Sequence, residues 1–432
     1  LTDLGRGQSE LFAGKANGLE KDLGRKRFCI ADSEIISIII VMKFWEKQQE
    51  KRRVFLDYAS ITPVCKEVGE EMLRVQNNFF ANPSALYAEA LSAKQELNSA
   101  REKISKILNC HKSDVVFTSG GTEANNLAIL GIFEVFNSID FVPHFVSTTI
   151  EHQSILKVLE EVERRGGEVT LIRPGSDGVV RAKDVRDALK PNTVLVSVMY
   201  ANNEIGTIQP IKEIGRVVKD WRQAQKTDYP YFHSDACQAP LYLSLDVLKL
   251  GLDMMTLDGI KIYGPRGSGL LFVRGHLPIL PIISGGGQER GLRSGTENLP
   301  GIVGLAKALE IAEEMREKES ERLTEIRDYA IKNILENFSL NPPSGGSGDQ
   351  FKTGLAKATL NGSQENRLPN NINICFPSTD SEFAVISLDI HGISASHSSS
   401  CRNLKEDSSS YVVASLGLPA QAGKKDCRES SL

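Results

Sequence analysis

Short apolar runs alternate with longer amphipathic stretches along most of the chain, and this alternation predicts the fold class. Seven apolar runs of strand length predict β-strands at Val115–Thr118, His144–Thr148, Glu168–Ile172, Val194–Tyr200, Tyr231–Ser234, Met254–Leu257 and Gly269–Val273. Apolar residues at helical spacing predict helices at Ala88–Leu108, Glu123–Phe133, Ser154–Arg165, Ala182–Leu189 and Ile211–Gln223. Such alternation is typical of an α/β fold with a mostly parallel sheet covered by helices.

The C-terminal third has a different pattern. It predicts a long charged helix at Ile302–Phe338, then a Gly-, Ser- and Pro-rich loop at 339–350, then short elements at Asn371–Phe376 and Ala384–Leu388. We therefore expect two domains: a large one at 64–310, and a smaller α/β domain formed by 54–63 and 311–432.

The N-terminal residues 1–53 are predicted to be a poorly ordered extension. Their apolar run at 35–41 is too short to cross a bilayer, and a charged stretch follows where a signal peptide would have a cleavage site.

Composition excludes several classes of function. A net charge of −4 over 432 residues gives no basic surface of the kind that binds nucleic acid, and the sequence indicates no membrane role. None of the seven cysteines forms a C-x-x-C pair, so a zinc site is not expected. Their odd number in a large chain favours free thiols in the reducing cytoplasm.

Lys261 stands between an apolar run and a glycine- and proline-rich turn, in the stretch Leu257-Asp-Gly-Ile-Lys-Ile-Tyr-Gly-Pro-Arg-Gly267. A buried lysine can lose its proton and act as an amine nucleophile. The usual use of such an amine is a Schiff base with the aldehyde of pyridoxal 5'-phosphate (PLP).

A glycine turn follows the first strand predicted within the alternating region. Gly121 and Thr122 stand where a helix N-terminus would offer free N–H groups and a hydroxyl to a phosphate. The alternative is an ordinary turn with Thr122 as N-cap. His152 follows the next strand, where it could stack on a cofactor ring and move protons; the alternative is a capping or surface histidine.

Polar side chains also follow two further strands. Asn203 could donate a hydrogen bond to a cofactor oxygen, although a simple turn explains it equally. Asp235 could pair with a protonated pyridine nitrogen, which would offset the cost of burying a carboxylate, and Gln238 could donate to the ring oxygen. A His-x-Asp-x-Cys metal site at 233–237 is disfavoured, because alternate strand positions do not converge.

Two loops complete the candidate chemistry. A glycine-rich loop at 285–298 contains two arginines and Thr296, and it is either a flexible surface loop or an anion-contacting one. Cys401 lies in a Ser-rich stretch, where a thiol is exposed and can be reactive. The alternative is a structural cysteine, which is usually buried among apolar side chains.

These segments together resemble the cysteine desulfurases of the NifS/IscS type, within the class V aminotransferase-like PLP enzymes of fold type I. The resemblance covers most of the chain from about Phe55, on these motifs: Phe55-Leu-Asp-Tyr-Ala-Ser, Asn82-Pro-Ser, Ser119-Gly-Gly-Thr-Glu-Ala-Asn-Asn, Glu151-His, Asn202-Asn-Glu-Ile-Gly, Asp235-Ala-Cys-Gln, Lys261-Ile-Tyr-Gly-Pro-Arg-Gly, Arg293-Ser-Gly-Thr-Glu-Asn, Arg367-Leu-Pro-Asn-Asn, and the Cys401 loop before Ser410-Tyr-Val-Val.

The resemblance implies a role for each matching residue. Lys261 would hold PLP and move protons at the substrate α-carbon, with His152 stacked on the ring. Asp235 would pair with the ring nitrogen, Asn203 and Gln238 with the ring oxygen, and Gly121 and Thr122 with the phosphate. Thr296 would reach the phosphate of the neighbouring subunit, which implies a homodimer.

The resemblance also implies the reaction. Cys401 would take sulfur from L-cysteine as a persulfide, release L-alanine, and pass the sulfur to an acceptor such as an iron–sulfur scaffold or a tRNA-thiolating protein. A role for Cys401 as a transient iron–sulfur ligand stays open.

The sequence departs from the family pattern at three places. The family has Ser-x-His-Lys at the lysine, whereas this chain has Asp258 and Ile260 there, which predicts either weaker PLP binding or an Asp258 side chain turned away. Tyr87 stands where many members have histidine. The family continues past Leu432 with a strand whose arginine binds the substrate carboxylate, so a truncated small domain is expected.

Two other functions stay open on the sequence. One is a selenocysteine lyase or another class V PLP lyase, and the other is a degenerate, non-catalytic homologue that binds partners.

Overall fold

The structure is a computed structural model that describes residues 53–138, 140–275, 277–340, 358–376, 379, 381–397 and 410–417. Its strands are β1 Val54–Phe55, β2 Val115–Thr118, β3 His144–Thr148, β4 Glu168–Ile172, β5 Thr193–Ser197, β6 Tyr231–Asp235, β7 Met254–Asp258, β8 Gly269–Val273, β9 Thr359–Leu360, β10 Ile374–Cys375 and β11 Ile393–Ser394. Its helices are α1 Lys66–Asn78, α2 Ala88–Leu108, α3 Gly121–Phe136, α4 Gln153–Arg164, α5 Ala182–Ala188, α6 Ile211–Gln225, α7 Val247–Leu250, α8 Leu299–Leu340, α9 Ser381–Ile390 and α10 Tyr411–Ser415.

Seven strands form one sheet in the order β2-β8-β7-β6-β5-β3-β4. The five strands from β7 to β4 are mutually parallel, and β8 is antiparallel to both of its neighbours. Every residue of β3, β5 and β6 is buried, as expected for parallel strands that are covered on both faces. The predicted α/β fold with a large, mostly parallel sheet is therefore confirmed.

Consecutive strand residues belong to two separate hydrophobic clusters, one on each face of the sheet. Phe145, Leu195 and Tyr231 pack in the cluster that includes α3 and α4 residues. Val196 and Phe232 pack in the other cluster, with residues of α1, α2, α6 and α8. The two layers of helices fix the sheet, so the residues that follow its strands have a rigid support.

The predicted element bounds agree closely with the observed ones. The main differences are that α3 begins at Gly121 and that β5 ends at Ser197 rather than Tyr200. The chain beyond Ser197 still follows β6, because the Tyr200 N–H donates to the Asp235 carbonyl oxygen (2.8 Å). Helix α8 extends to Leu340, two residues into the predicted loop, whose remaining residues lie outside the described part.

Smaller elements lie apart from the main sheet. β9 pairs antiparallel with β10, and β1 pairs with β11. Contacts divide the chain into two compact units: of the described residues, Val54 and Ile390–Ile393 belong to one, and those within 55–389 and 394–417 belong to the other. The domain boundaries inferred from sequence stay a prediction, and the extension predicted at 1–53 lies outside the described residues except for Arg53.

Cysteine chemistry and membrane spans were also predicted. Cys65, Cys110 and Cys237 are free thiols, but Cys375 is disulfide-bonded, so the prediction of free thiols is wrong there. Sequence spacing has no information on which thiols approach one another.

None of the helices in the described part has the length and apolar character needed to span a membrane.

A buried ion pair anchors the glycine-rich loop at 285–298. The Arg101 guanidinium donates to both carboxylate oxygens of Glu289 (2.9 and 2.6 Å), and the Phe117 N–H donates to the same carboxylate (2.9 Å). Glu289 itself has a left-handed backbone (φ 48°), a conformation that the ion pair helps to hold. The loop is therefore fixed to α2 and β2 at this point rather than flexible.

We predict that Glu289→Gln lowers the free energy of unfolding by about 3 kcal/mol, because the Arg101 charge stays buried without its counter-charge. Urea denaturation of the cofactor-free protein measures this. The matched control is Glu71→Gln, which breaks a surface pair with Arg74 and should cost below about 1 kcal/mol. Equal losses in the two variants would contradict a structural role for the buried pair.

Candidate active site

The candidate site lies at the carboxyl ends of the parallel strands. His152, Asn203 and Lys261 follow β3, β5 and β7, and Asp235 is the last residue of β6. Because β3, β5, β6 and β7 are parallel neighbours, these ends lie on one edge of the sheet, which is where α/β sheets bind ligands.

Asp235 is a buried carboxylate with two hydrogen-bond donors. Its Oδ2 accepts from Asn125 Nδ2 (2.7 Å) and its Oδ1 from the Cys237 backbone N–H (3.0 Å). Only 7% of the residue is exposed, and no ion pair among the described residues includes it. A buried carboxylate without a cation is costly. The arrangement therefore favours a positively charged group in this position.

Asn125 connects Asp235 to His152. Its Nδ2 also approaches Ser154 Oγ (2.8 Å), and Ser154 Oγ bonds to His152 Nδ1 (2.8 Å). The Ser154 backbone N–H donates to the same Nδ1 (3.2 Å), so that nitrogen carries no proton and His152 caps α4. The capping alternative for His152 is correct, and the cap also places the imidazole at the strand edge.

Lys261 and Gln238 converge on a segment from the start of the described chain. Lys261 Nζ donates to the carbonyl oxygens of Ala59 (2.8 Å) and Ser60 (2.5 Å), and Gln238 Nε2 donates to that of Ala59 (2.9 Å). Thr62 holds the segment in place, because its N–H donates to Ile260 O (2.9 Å). The lysine amine and the glutamine amide therefore lie close together.

Asp258 faces the N-terminus of α3. Its Oδ2 accepts the Gly121 N–H (2.8 Å), and its Oδ1 accepts the Ile260 N–H (3.1 Å). The sheet register explains this contact, because Asp258 and Thr118 both pair with Gly269. The sequence predicted either weaker PLP binding or an Asp258 side chain turned away. The side chain is not turned away from the α3 N-terminus, so weaker PLP binding stays a prediction.

Glycine is required where this turn approaches the sheet. A Cβ on Gly269 would lie 2.6 Å from the Gly120 Cα, and one on Gly121 would lie 2.8 Å from Cys237 Sγ. Gly120 also has a φ of +151°. It is the N-cap of α3, so the alternative that Thr122 is the N-cap is wrong.

Thr122, Asn203 and Thr296, which were also predicted as cofactor-binding residues, make fewer contacts with the rest of the site. Thr122 is exposed and lines a cleft of about 430 Å³ between α3 and α4, together with His152. Asn203 is half-buried, and the neighbouring Asn202 builds the turn by accepting two backbone N–H groups. Thr296 is exposed and forms no hydrogen bond to another described residue, although Arg293 ties its loop to α3 through Glu123 (2.8 Å).

Cys401 lies outside the described residues, but both flanks of its segment contact the site. Ser396 Oγ donates to Asp57 Oδ1 (3.0 Å), two residues before the Ala59 carbonyl that Lys261 contacts. On the other side, Ser410 Oγ donates to Glu204 Oε2 and Tyr411 OH to the Glu151 carbonyl oxygen (2.7 Å).

Glu151 and Asn125 are two site residues that the sequence analysis did not single out for a role. Glu151 is fully buried; its Oε1 accepts from Thr148 Oγ1 (2.7 Å) and the Met199 N–H (3.0 Å). Burial raises the pKa of the Glu151 carboxyl to about 8, so it is mostly protonated near neutral pH. Asn125 could have been noticed as an amide among the alanines and leucines of the buried face of α3.

Comparisons with known proteins agree with this geometry. The family model "Aminotransferase class-V" matches residues 54–342. The chain is 37% identical over 371 residues to "Cysteine desulfurase IscS" of Dictyoglomus turgidum, covering 86% of this chain and 87% of that protein. It is 39% identical over 381 residues to "Cysteine desulfurase IscS" of Clostridium botulinum (strain Hall), covering 88% and 89%.

The chain belongs to the cysteine desulfurase family of class V aminotransferases. Two solved structures support the family at the level of the fold. A "NIFS-LIKE PROTEIN" superposes with a TM-score of 0.76 at 30% identity, covering 88% of this chain and 92% of that one. "SspA in complex with cysteine" superposes with a TM-score of 0.70 at 32% identity, covering 88% and 97%.

Members of the family depend on PLP, and the residues described here fit the ring end of that cofactor. No cation among the described residues pairs with the buried Asp235, and Lys261 and Gln238 lie together. The residues at the phosphate end fit the cofactor less well, because the Asp258 carboxylate already accepts the N–H of Gly121, the first residue of α3.

We predict that in Glu151→Gln the free energy of unfolding depends less on pH between pH 5 and pH 8 than in wild type. The folded-state pKa of about 8 lies above the unfolded value, so stability is lost as the pH rises from about 4.5 towards 8. Gln cannot ionise, so the variant should gain about 3 kcal/mol over wild type between pH 5 and pH 8 in urea unfolding. If the unfolding free energies of Glu151→Gln and wild type changed in parallel with pH, the prediction would be contradicted. The control is Glu160→Gln, which changes an exposed carboxylate and should run parallel to wild type.

We also predict that Asn125→Ala weakens PLP binding about tenfold or more, since Asp235 and Ser154 lose their shared donor. Asn126→Ala is the matched control, because that neighbouring side chain is only half-buried and donates its hydrogen bond within its own helix, to Thr122 O. Titration of each apo-protein with PLP, followed by absorption, measures both affinities. Equal affinities would show that Asn125 does not position the site.

Proposed function

We propose that this chain is a PLP-dependent cysteine desulfurase that converts L-cysteine to L-alanine and retains the sulfur as a persulfide on Cys401. The observation that supports this proposal most is that Asp235, Lys261 and Gln238 all lie at the edge of the sheet where the parallel strands end. The chain that contains them belongs to the cysteine desulfurase family. The flanks of the Cys401 segment contact the same edge, which favours a thiol carrier over a selenocysteine lyase without one.

PLP, when bound, supplies a ring that withdraws electrons from the substrate carbon atoms. Asp235 would pair with the protonated ring nitrogen, and His152 would stack on the ring. Gln238 and Asn203 would donate to the ring oxygen, and Gly121 and Thr122 would hold the phosphate. Asp258 and Ile260 flank that phosphate position, on the turn that leads to Lys261.

Lys261 would hold the cofactor through its amine and would move a proton at the substrate α-carbon. The Cys401 thiolate attacks the substrate sulfur, so an S–S bond forms and the Cβ–S bond breaks. The electron pair of the broken bond stays on the substrate carbon, which takes up a proton to give alanine. Cysteine and one enzyme thiol thus become alanine and one persulfide, with no added oxidant.

The partners and location follow as further parts of the proposal. The enzyme acts as a homodimer in the cytoplasm, with Thr296 reaching the phosphate in the neighbouring subunit. An acceptor such as an iron–sulfur scaffold or a tRNA-thiolating protein receives the sulfur, and Cys401 acts as a transient iron–sulfur ligand during that transfer. The large domain at 64–310 binds the cofactor, and residues 54–63 and 311–432 form the small domain.

The test is an absorption spectrum with PLP, followed by assays of sulfide and alanine after adding cysteine. We expect a cofactor band in wild type and in Lys249→Ala, which changes an exposed lysine, but not in Lys261→Ala. We expect Cys401→Ser to lose alanine production by about a hundredfold or more while Cys110→Ser keeps it. No band at saturating PLP in wild type would favour a non-catalytic homologue, and full turnover by Cys401→Ser would favour another class V lyase.

A further inference from the structure

The N-terminus of α3 already holds an anionic group from the protein itself. The Asp258 Oδ2 accepts the Gly121 N–H at 2.8 Å, and Gly121 is the first residue of a 16-residue helix. Free N–H groups and the helix dipole make such a terminus a site for one anion. Asp258 therefore occupies the donor that a phosphate would use.

There is little room for two anions at this terminus. A Cβ built on Gly121 would lie 2.8 Å from Cys237 Sγ and 3.2 Å from Asp258 Oδ2, and one on Gly120 would also lie 3.2 Å from that oxygen. A phosphate approaching these glycines would meet the carboxylate at contact distance, where two like charges repel strongly. Either the phosphate binds weakly or Asp258 must move or take up a proton.

Moving Asp258 has its own cost. Its second oxygen accepts the Ile260 N–H at 3.1 Å and so caps the short turn Gly259–Lys261 that presents the Lys261 amine. The titratable groups that act on the carboxylate are Lys261, Asp235 and the Cys237 thiol. Only the first of these is a cation, and its amine is directed to the Ala59 and Ser60 carbonyl oxygens.

We propose that Asp258 is an internal anion that competes with the cofactor phosphate for the N-terminus of α3, so that this chain selects its cofactor by the pyridoxal ring more than by the phosphate. The inference rests on the proposed PLP site and deepens it. It assigns to Asp258 a role in cofactor specificity: the protein should discriminate poorly between PLP and unphosphorylated pyridoxal.

The experiment measures the dissociation constants of PLP and of pyridoxal for the same apo-protein. Both ligands present the same aldehyde and ring, so their ratio isolates the contribution of the phosphate. We expect pyridoxal to bind less than about tenfold more weakly than PLP in wild type, which corresponds to about 1.4 kcal/mol. In Asp258→Asn the ratio should rise at least tenfold through tighter PLP binding, and in Asp258→Ser further.

The controls separate this effect from simple damage. Asp246→Asn removes a carboxylate that caps another helix, α7, away from the site, and it should leave the ratio unchanged. Inorganic phosphate should compete with PLP in Asp258→Asn but hardly in wild type. If Asp258→Asn fails to fold by circular dichroism, Asp258→Ser gives the same comparison with a smaller side chain.

An unchanged ratio in folded Asp258→Asn and Asp258→Ser, or a wild-type ratio already a hundredfold or more, would overturn the inference. Failure of the proposed function gives a different result. In that case the ratio responds to Asp258 as described, but wild type saturated with PLP releases no sulfide from cysteine.

Discussion

The carboxylate of Asp235 is buried at the end of a central strand, and much of the site is arranged around it. Water does not reach it freely, and its two donors are an amide from α3 and the backbone N–H of Cys237. Two neutral hydrogen bonds offset only part of the cost of burying a charge. The remaining stabilisation has to come from a cation, and the proposed cation is a protonated pyridine nitrogen.

Hydrogen bonds connect the buried Asp235 carboxylate to other residues of the site. Asn125 donates towards both Asp235 and Ser154, and Ser154 orients the imidazole of His152 by two contacts at its Nδ1. Lys261 and Gln238 both donate to the Ala59 carbonyl oxygen in the 57–62 segment. The proposed cofactor residues thus share supports from the helix layer and from the segment before α1, rather than standing independently on their loops.

The sequence predicted the sheet well because strands buried on both faces appear as apolar runs, and His144–Thr148 and Gly269–Val273 match to the residue. It also predicted which strand ends bear polar groups, since that depends only on chain order. It did not predict the contact between Asn125 and Asp235, which depends on how α3 packs on the sheet.

The orientation of Asp258 was likewise undecided from sequence, because it depends on a register in which two strands meet at Gly269. The disulfide of Cys375 was also missed, because a single sequence contains no pattern that shows which thiols approach one another. Motif resemblance supplied the family and the cofactor, whereas the departures from the motif became interpretable only through contacts.

The most direct test of the central claim is the ¹⁵N chemical shift of PLP labelled at its pyridine nitrogen and bound to the protein. If Asp235 provides the buried negative charge, the nitrogen is protonated in wild type near neutral pH and loses that proton in Asp235→Asn. A neutral pyridine nitrogen in wild type, or an identical shift in the two proteins, would contradict the account.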